Sequence, residues 1–517
     1  MTSTPTPLTP STPKHAQRSR ENSTTDIGED AALVRLLTHS QTQLESGFLA
    51  PEPSTDVAED RGESAAPTSG MHTSYEVPPM PTVVRRYLSV RWKFAIAVII
   101  ASLWTGASIW ISAPWVTGLA THVTIGPAIL IVSLLAFIPG FVMAFLMAGL
   151  AFDRQPPLRV TSPREPVTVL IAARNEASAI GDTVRSLAQQ DYEGPLRVIV
   201  IDNCSTDRTS EVARATAEEI GFEIEILSET TPGKSHALNL GLANVTSDLV
   251  ITVDADTLLQ RSALRLLIAR LMSSPPDVSA VAGAVLVRNS RSTFWSRLQT
   301  WDYFLGIASV KRMQGLFQNT LVAQGAFSLY RSDAVRDAGG WPDAIGEDIV
   351  LTWKMMNNGA HVFFEPLAVA FTSAPETLGV LARQRSRWAR GMIEGLRSVP
   401  PWRHQNGYAK VLTGFNLLIP LLDTAYIFLW LPGLVLACLG IFWFVGPMTV
   451  AVLPMTLLVY GILFHYQNRR VFQPLGLRVR RNLLGLLFFV VIYQGFMSMF
   501  SVIGYAQEFT RRARRWK

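Results

Sequence analysis

A chain of 517 residues is too long for one compact domain, and 48% apolar content points to lipid as the solvent for part of it. Two cysteines, Cys204 and Cys438, exclude a disulfide framework and a thiolate metal site. The net charge of +6 gathers beside apolar runs, in "RRYLSVRWK", "RVRRN" and "RRARRWK". That pattern suits anionic headgroups on one side of a bilayer and argues against nucleic acid as a partner.

Residues 1–82 are rich in Ser, Thr and Pro without a sustained apolar period, which predicts disorder with a short helix embedded around Ala31 to Leu44. The apolar core of a signal peptide is absent at Met1. Within 83–155, "FAIAVIIASLWTGASIWIS" and "ILIVSLLAFIPGFVMAFLMAGLAF" each approach the roughly 20 residues needed to cross a bilayer. Arg85, Arg86, Arg91 and Lys93 predict a cytoplasmic N-terminus, an outer loop around Thr121 and a polar middle region back inside.

Residues 160–375 suit one α/β domain, because short β-branched runs alternate with helical patterns, the form of a parallel sheet covered by helices. "VTVLIAARNE", "LRVIVIDNCSTD", "EIEIL" and "DLVITVDAD" read as strands, and acidic residues follow three of the four. Ligands bind at that end of open α/β sheets, so Asn175, Glu176, Asp202, Asp207, Asp254 and Asp256 are expected in one crevice. Asp254 and Asp256 stand two residues apart and could share a hard divalent cation, Mg²⁺ or Mn²⁺, whose remaining ligands are substrate phosphates. "TPGKSHALNLGL" puts Lys234 at a helix start, either as a phosphate contact or as a surface lysine; its glycine spacing is not that of a P-loop. In "GEDIVLTWKM", Glu347 and Asp348 head an amphipathic helix, where a carboxylate acts either as a general base or as a helix-start charge.

Residues 376–400 form an amphipathic helix with Leu381, Trp388, Met392 and Leu396 set against Arg383, Arg390 and Arg397, which could lie in the membrane interface. Gln384, Arg387 and Trp388 of "QRSRW" share one helical face by i, i+3 and i+4, offering a forked cation and a flat ring. About three more spans are expected in 411–507: two between Val411 and Tyr466, broken near Gly446-Pro447, and one between Asn482 and Ala506. Five crossings would leave the basic tail 508–517 outside, against the charge bias, so either the last segment does not fully span or the region from Val411 counts one crossing differently.

Taken in this order between membrane runs, "VTVLIAARNE", "VIDNCSTD", "GKSHALNLG", "VDAD", "GEDIVLTWK" and "QRSRW" resemble the processive family 2 glycosyltransferases, among them the synthases of cellulose, chitin, hyaluronan and poly-β-1,6-N-acetylglucosamine. The resemblance runs from about Val83 to the C-terminus. It implies a cytosolic GT-A (Rossmann-like) domain inserted between α-helical transmembrane segments of the plasma membrane, and inverting transfer from a UDP-sugar donor. The growing polysaccharide acceptor would pass through the membrane helices, and a small membrane partner subunit could be needed. It further implies that Glu176 and Asp202 touch uridine, that Asp254 and Asp256 hold the metal and diphosphate, and that Asp348 is the base. Gln384, Arg387 and Trp388 would line the acceptor and diphosphate site, and Gly325 of "GAFSLYR" would lie on the acceptor side.

Two departures stand out: Asn203 follows Asp202 where the family often has a second acid, and Gly346 replaces a common Thr. No cyclic-dinucleotide-binding barrel follows the last run, and chain length and span arrangement favour UDP-N-acetylglucosamine over UDP-glucose. A transferase making a glycolipid is the alternative enzyme. A non-catalytic channel or transporter, with Asp423 marking a pathway, is the alternative outside catalysis.

Overall fold

The computed structural model describes residues 88–153, 155–445, 449–477 and 482–510. The expected disorder of 1–82, the helix at 31–44, the break at Gly446-Pro447 and the basic runs at 478–481 and 511–517 lie outside the described residues.

Two apolar helices come first, α1 (Val90–Val123) and α2 (Ile125–Ala151). The 34 residues of α1 span about 51 Å at 1.5 Å per residue, more than a bilayer's hydrocarbon core. Between them Thr124 takes a left-handed φ of 73°. In α2 the ladder slips into a π-helical turn at Ser133–Phe137. Trp110 of α1 is 79% exposed, as expected of a ring meant for lipid.

The middle of the chain folds as a mixed sheet. Its strands are β1 (Val167–Ala173), β2 (Leu196–Asn203), β3 (Glu225–Glu229), β4 (Leu249–Val253), β5 (Leu258–Leu259), β6 (Val278–Val287), β7 (Phe327–Arg331) and β8 (His361–Thr372), in the order β3-β2-β1-β4-β7-β6-β8-β5. Helices α3 (Ile180–Ala188), α4 (Thr209–Ile220), α5 (Lys234–Ala243) and α6 (Ala263–Met272) join the early strands. The expectation of a parallel sheet holds for β1 to β4 and for the β6–β8 pair, and fails at β7 and β5. There, β7 runs antiparallel to both β4 and β6, and β5 runs antiparallel to β8. The cause is the excursion after β6. Helix α7 (Phe294–Asp302), a π-helical stretch Tyr303–Val310 and α8 (Lys311–Leu316) leave the sheet and return at the same end, so β7 must run back down.

Alternation along the strands divides the core in two. Val169, Ile171, Val198, Val200 and Ile251 face a cluster with Val184 and Ala213 of α3 and α4. Leu170, Ile199, Ile201 and Val250 face one that contains Leu238 and Leu242 of α5 and continues to Phe145 of α2 and to Phe472, Tyr493 and Met497. One apolar core therefore joins the sheet to the membrane helices.

After β7 come α9 (Ser332–Asp337), α10 (Glu347–Asn357) and, past β8, α11 (Leu378–Ser398). The apolar helices then resume with α12 (Gly407–Cys438), α13 (Thr449–Gln467) and α14 (Leu483–Phe509). Among the described residues, α1, α2, α12 and α14 are long and apolar enough to cross a membrane. The segment expected to hold two crossings does divide into two helices, α12 and the 19-residue α13.

Candidate active site

The loops after β1 and β2 are tied together by their own side chains. Asn175, at a left-handed φ of 57°, accepts the Thr206 N–H at 2.7 Å on Oδ1, and its own N–H donates to Ser205 Oγ at 3.1 Å. The Glu176 N–H donates to Thr209 Oγ1 at 2.9 Å. Asp202 accepts the Ser205 N–H at 3.0 Å and the Ser210 hydroxyl, which fixes the carboxylate at the tip of β2. Asp207 is exposed, and its oxygens take the Thr209 hydroxyl, the Thr209 N–H and the Ala177 N–H. The Thr209 hydroxyl foremost, against slight burial, holds its carboxyl below the usual range. Of the acids expected in the crevice, Asp207 thus serves the loop that frames it.

Asn203 shows why an amide suits its position. Buried completely, it donates through Nδ2 to Thr231 O at 2.7 Å and to Glu229 O at 3.3 Å, and accepts the Gly233 N–H at 2.8 Å. A carboxylate could make only the last of these bonds. The amide therefore anchors the turn that delivers Lys234 as the first residue of α5.

Lys234 is the hub. Its Nζ lies 2.5 Å from Asp254 Oδ1 and 3.7 Å from Glu347 Oε1. Burial works against the charge, but Asp254 and Glu347 outweigh it and hold the ammonium above the usual lysine range. Burial likewise pushes Glu347 up to about 7, with Lys234 pulling it down and Asp348 adding to the rise. Gly325 makes this crossing possible, because a Cβ there would stand 2.7 Å from Lys234 Nζ. The Gly325 N–H points at Asp348 Oδ2 at 3.4 Å, which sets the half-buried Asp348 beside the Lys234 cluster. Thr352, one turn along α10, fixes this arrangement by donating to Asp348 O at 2.7 Å and accepting the Ala323 N–H at 3.0 Å.

Asp256 lies two residues past Asp254 and accepts the Thr372 hydroxyl at 3.1 Å. Among the described residues no three His, Cys, Asp or Glu side chains gather into a self-sufficient metal cage. Two carboxylates just past β4 fit a hard cation that arrives with phosphate oxygens in its shell, as Mg²⁺ characteristically does.

Helix α11 closes the other side. Gln384 Oε1 is buried without a hydrogen-bond partner, Arg387 is half-buried and Trp388 is exposed. Arg385, one position along from Gln384 and absent from the face read in the sequence, stacks 4.0 Å over the Trp388 ring and pairs with Asp302 Oδ2 at 2.5 Å. Tyr303 lies 6.1 Å from Trp388, ring to ring. Burial first, then Asp302, Asp256 and Asp254, push its hydroxyl up to about 12 against the pull of Arg385.

A second residue missed in the sequence is Lys311, buried at the start of α8. Its Nζ donates to Val322 O at 3.0 Å and to Gln324 Oε1, which places an amine directly behind the loop that carries Gly325. Burial pushes it down to about 7, with Asp348 pulling the other way. Its only sequence signal was a charge following the apolar "FLGIASV".

Comparison with known proteins fits this geometry. Residues 163–391 match the family model described as Glycosyltransferase like family 2. A poly-beta-1,6-N-acetyl-D-glucosamine synthase of Staphylococcus aureus (strain COL) is 35% identical over 247 residues, covering 48% of this chain and 59% of that protein. One from Staphylococcus epidermidis is 33% identical over 233 residues, covering 45% and 56%. The chain thus spans somewhat more than half the length of these relatives. Among solved structures, a mannosyltransferase of Pyrobaculum calidifontis in complex with GDP-Man and Mn²⁺ is similar with a TM-score of 0.52 at 20% identity, covering 74% of this chain and 99% of that one. At such identity the likeness concerns the fold, a GT-A-like mixed sheet. Residues 163–391 thus match a family 2 glycosyltransferase domain, and among the described residues four helices flanking it are long and apolar enough to cross a membrane.

Proposed function

We propose that this protein is an inverting glycosyltransferase that extends a β-linked polysaccharide from UDP-N-acetylglucosamine and passes the product through its membrane helices. The reading places 160–375 on the cytoplasmic side of the plasma membrane. The observation that carries it is the half-buried Lys234–Asp254–Glu347 cluster, with Asp348 beside it under Gly325 and α11 closing the far side. The names of the staphylococcal relatives support the sugar and the polymer.

Glu176 and Asp202 hold the uridine at the tips of β1 and β2. Asp254 and Asp256 hold Mg²⁺ or Mn²⁺ together with the diphosphate, and the cation, when bound, neutralises charge on the leaving group. Lys234 supplies a second positive charge at the same place and loses nothing by leaving Asp254, because phosphate oxygens can replace the carboxylate. Gln384, Arg387 and Trp388 line the acceptor and diphosphate side, with the Trp388 ring as a stacking surface along which a sugar chain slides.

In the displacement, the acceptor hydroxyl oxygen bonds to the anomeric carbon as the bond from that carbon to the diphosphate oxygen breaks. The hydroxyl proton passes to Asp348. Glu347 is less suited to that task, since its carboxylate is engaged by the Lys234 ammonium at 3.7 Å. Most of the acceleration comes from holding the reactants in line and from the positive charge at the leaving group.

The test is turnover by the full chain reconstituted in lipid with Mg²⁺ or Mn²⁺, offered UDP-N-acetylglucosamine and UDP-glucose separately, with the product sized. Long polymer from the first donor supports the proposal. Polymer from UDP-glucose alone replaces the sugar, and a single lipid-linked sugar replaces polymerisation with glycolipid synthesis. Bound UDP without turnover from either donor points to a required membrane partner subunit.

A further inference from the structure

Helix α10 has one first-turn acceptor of its own, Asp348 Oδ1, which takes the Ile349 N–H at 2.8 Å. Its N-cap residue is Gly346, which has no side chain to accept the free N–H groups there. The N–H groups of the two residues that lead into the helix, Ile345 and Gly346, find their acceptor on another helix. Glu394 of α11, six residues past Trp388 and 8% exposed, accepts the Ile345 N–H at 2.7 Å and the Gly346 N–H at 3.2 Å on the same oxygen, Oε2. A carboxylate is well placed at this end of a helix, where the backbone dipole is positive, and its bonds to N–H groups are of the stronger, charge-assisted kind.

The contact is close because both backbones are bare. A Cβ on Gly346 would stand 2.7 Å from Gly391 Cα, and one on Gly395 would stand 2.8 Å from Ile349 Cγ2. Threonine at 346 would cap α10 from within but hold α11 away. Glycine gives up that cap and admits Glu394 in its place. The residue that departs from the familiar motif and the carboxylate that compensates for it are therefore one arrangement.

We propose that Glu394 is the positioning residue for Asp348. By capping α10 from the helix that also carries Gln384, Arg387 and Trp388, it makes the base and the acceptor-binding face move as one body. The proposal rests on the reading of Asp348 as the base. Its consequence is that loss of the cap misplaces the carboxylate relative to the acceptor hydroxyl and leaves the nucleotide contacts at the tips of β1 and β2 in place.

The experiment compares Glu394→Ala and Glu394→Gln in the full chain, reconstituted in lipid and supplied with UDP-N-acetylglucosamine, reading kcat, donor KM and UDP affinity by calorimetry. Glu394→Ala should lower kcat by about 100-fold, the usual effect of misplacing a reacting group by about 1 Å, with donor KM and UDP affinity within about twofold. Glu394→Gln keeps a carbonyl oxygen that accepts both N–H bonds and should retain most of the kcat. Gly346→Ala, which pushes the two helices apart by a separate route, should reproduce the kcat loss. Unchanged kcat in Glu394→Ala overturns the proposal. So does a parallel loss of UDP binding, because the cap would then merely hold the domain together, and so does a glutamine variant as inactive as alanine. Asp348→Asn keeps the two readings apart. If it still turns over, the base assignment fails; if it is inactive while Glu394→Ala is normal, only the positioning role fails.

Discussion

The donor and acceptor halves proposed for this site are built in opposite ways. The donor half hangs on the ends of β1, β2 and β4, and its loops are held by short-range bonds such as Asp207 to the Ala177 N–H and Asn175 to the Thr206 N–H. The acceptor half is one helix, α11, fastened along the membrane helix α14. Ser386 donates to Gln507 at 3.1 Å, Arg390 and Arg397 reach Glu508 at 3.2 and 3.0 Å, and Gly504 packs directly under the Ser386 backbone. In turn α14 is tied to α12, where Asp423 accepts the Ser498 and Tyr505 hydroxyls at 2.8 Å each. Mutations in the donor loops should therefore act locally on nucleotide binding, whereas packing changes between α11 and the membrane should reach the chemistry without touching the nucleotide.

The sharpest division comes at the centre. Asp348→Asn should cut transfer by about 10²–10⁴-fold, the span of general-base contributions, and leave UDP affinity unchanged, as measured by turnover and calorimetry on one preparation. A loss of UDP binding in that variant would merge the two halves. Lys234→Met should act in the opposite sense, raising donor KM by about tenfold or more, since it removes one charge-assisted contact to phosphate, with the acceptor response unchanged.

Glu347 gives the same region a pH signature. Its folded value of about 7 lies above the ordinary 4.5, so the folded state holds a proton that the unfolded chain has already lost. The stabilisation is complete below about pH 4.5 and disappears as pH rises through about 7. Thermal unfolding of the metal-free protein should accordingly move down by a few degrees between pH 5 and pH 8, on the order of 1 kcal/mol, and Glu347→Gln should flatten the dependence. A melting temperature that rises over that interval would show that Lys234 dominates the pair.

The donor half was legible in the sequence because its signals are local. An apolar strand followed by an acid places Asp202 or Asp254 at a strand tip whatever the rest of the chain does, and the four parallel strands were read at nearly their observed bounds. The acceptor half was legible only as motifs. Gln384, Arg387 and Trp388 follow from helical spacing, but Arg385 lies off that face and acquires its role through Asp302, 83 positions earlier in the chain. Lys311 gave no pattern at all, since its partners Val322 and Gln324 lie across a turn that no periodicity foretells. The reversal of β7 was missed for a related reason: the strand is short, and its direction is set by an excursion of helix, not by residues of its own.

Smaller effects test whether the halves are independent. Gly504→Val should place a branched side chain where a Cβ would already lie 2.5 Å from Ser386 O, lifting α11 from α14. The expected result is a fall in kcat of about tenfold with donor KM preserved, smaller than for Glu394→Ala because α11 keeps its own contacts to α10. Nucleotide binding that weakens in step would mean that the membrane helices support the sheet as well as the acceptor helix.

The smallest effect belongs to Asp207. Asparagine has one acceptor oxygen instead of two, so Asp207→Asn must give up either the Ala177 N–H or the bonds to Thr209. Because the group is exposed, water replaces most of what is lost, and donor KM should rise by only about twofold with kcat unchanged. The direction with pH is fixed by the bonds: the carboxyl is held below its usual range, so the loop's stabilisation is present above that range and is lost as pH falls through the depressed value. In the variant, the loss of donor affinity on acidification should therefore be blunted. A fall in kcat with donor KM preserved would place the Asn175 to Thr209 loops in the acceptor half after all, and the division drawn between strand tips and membrane-fastened helix would have to be moved.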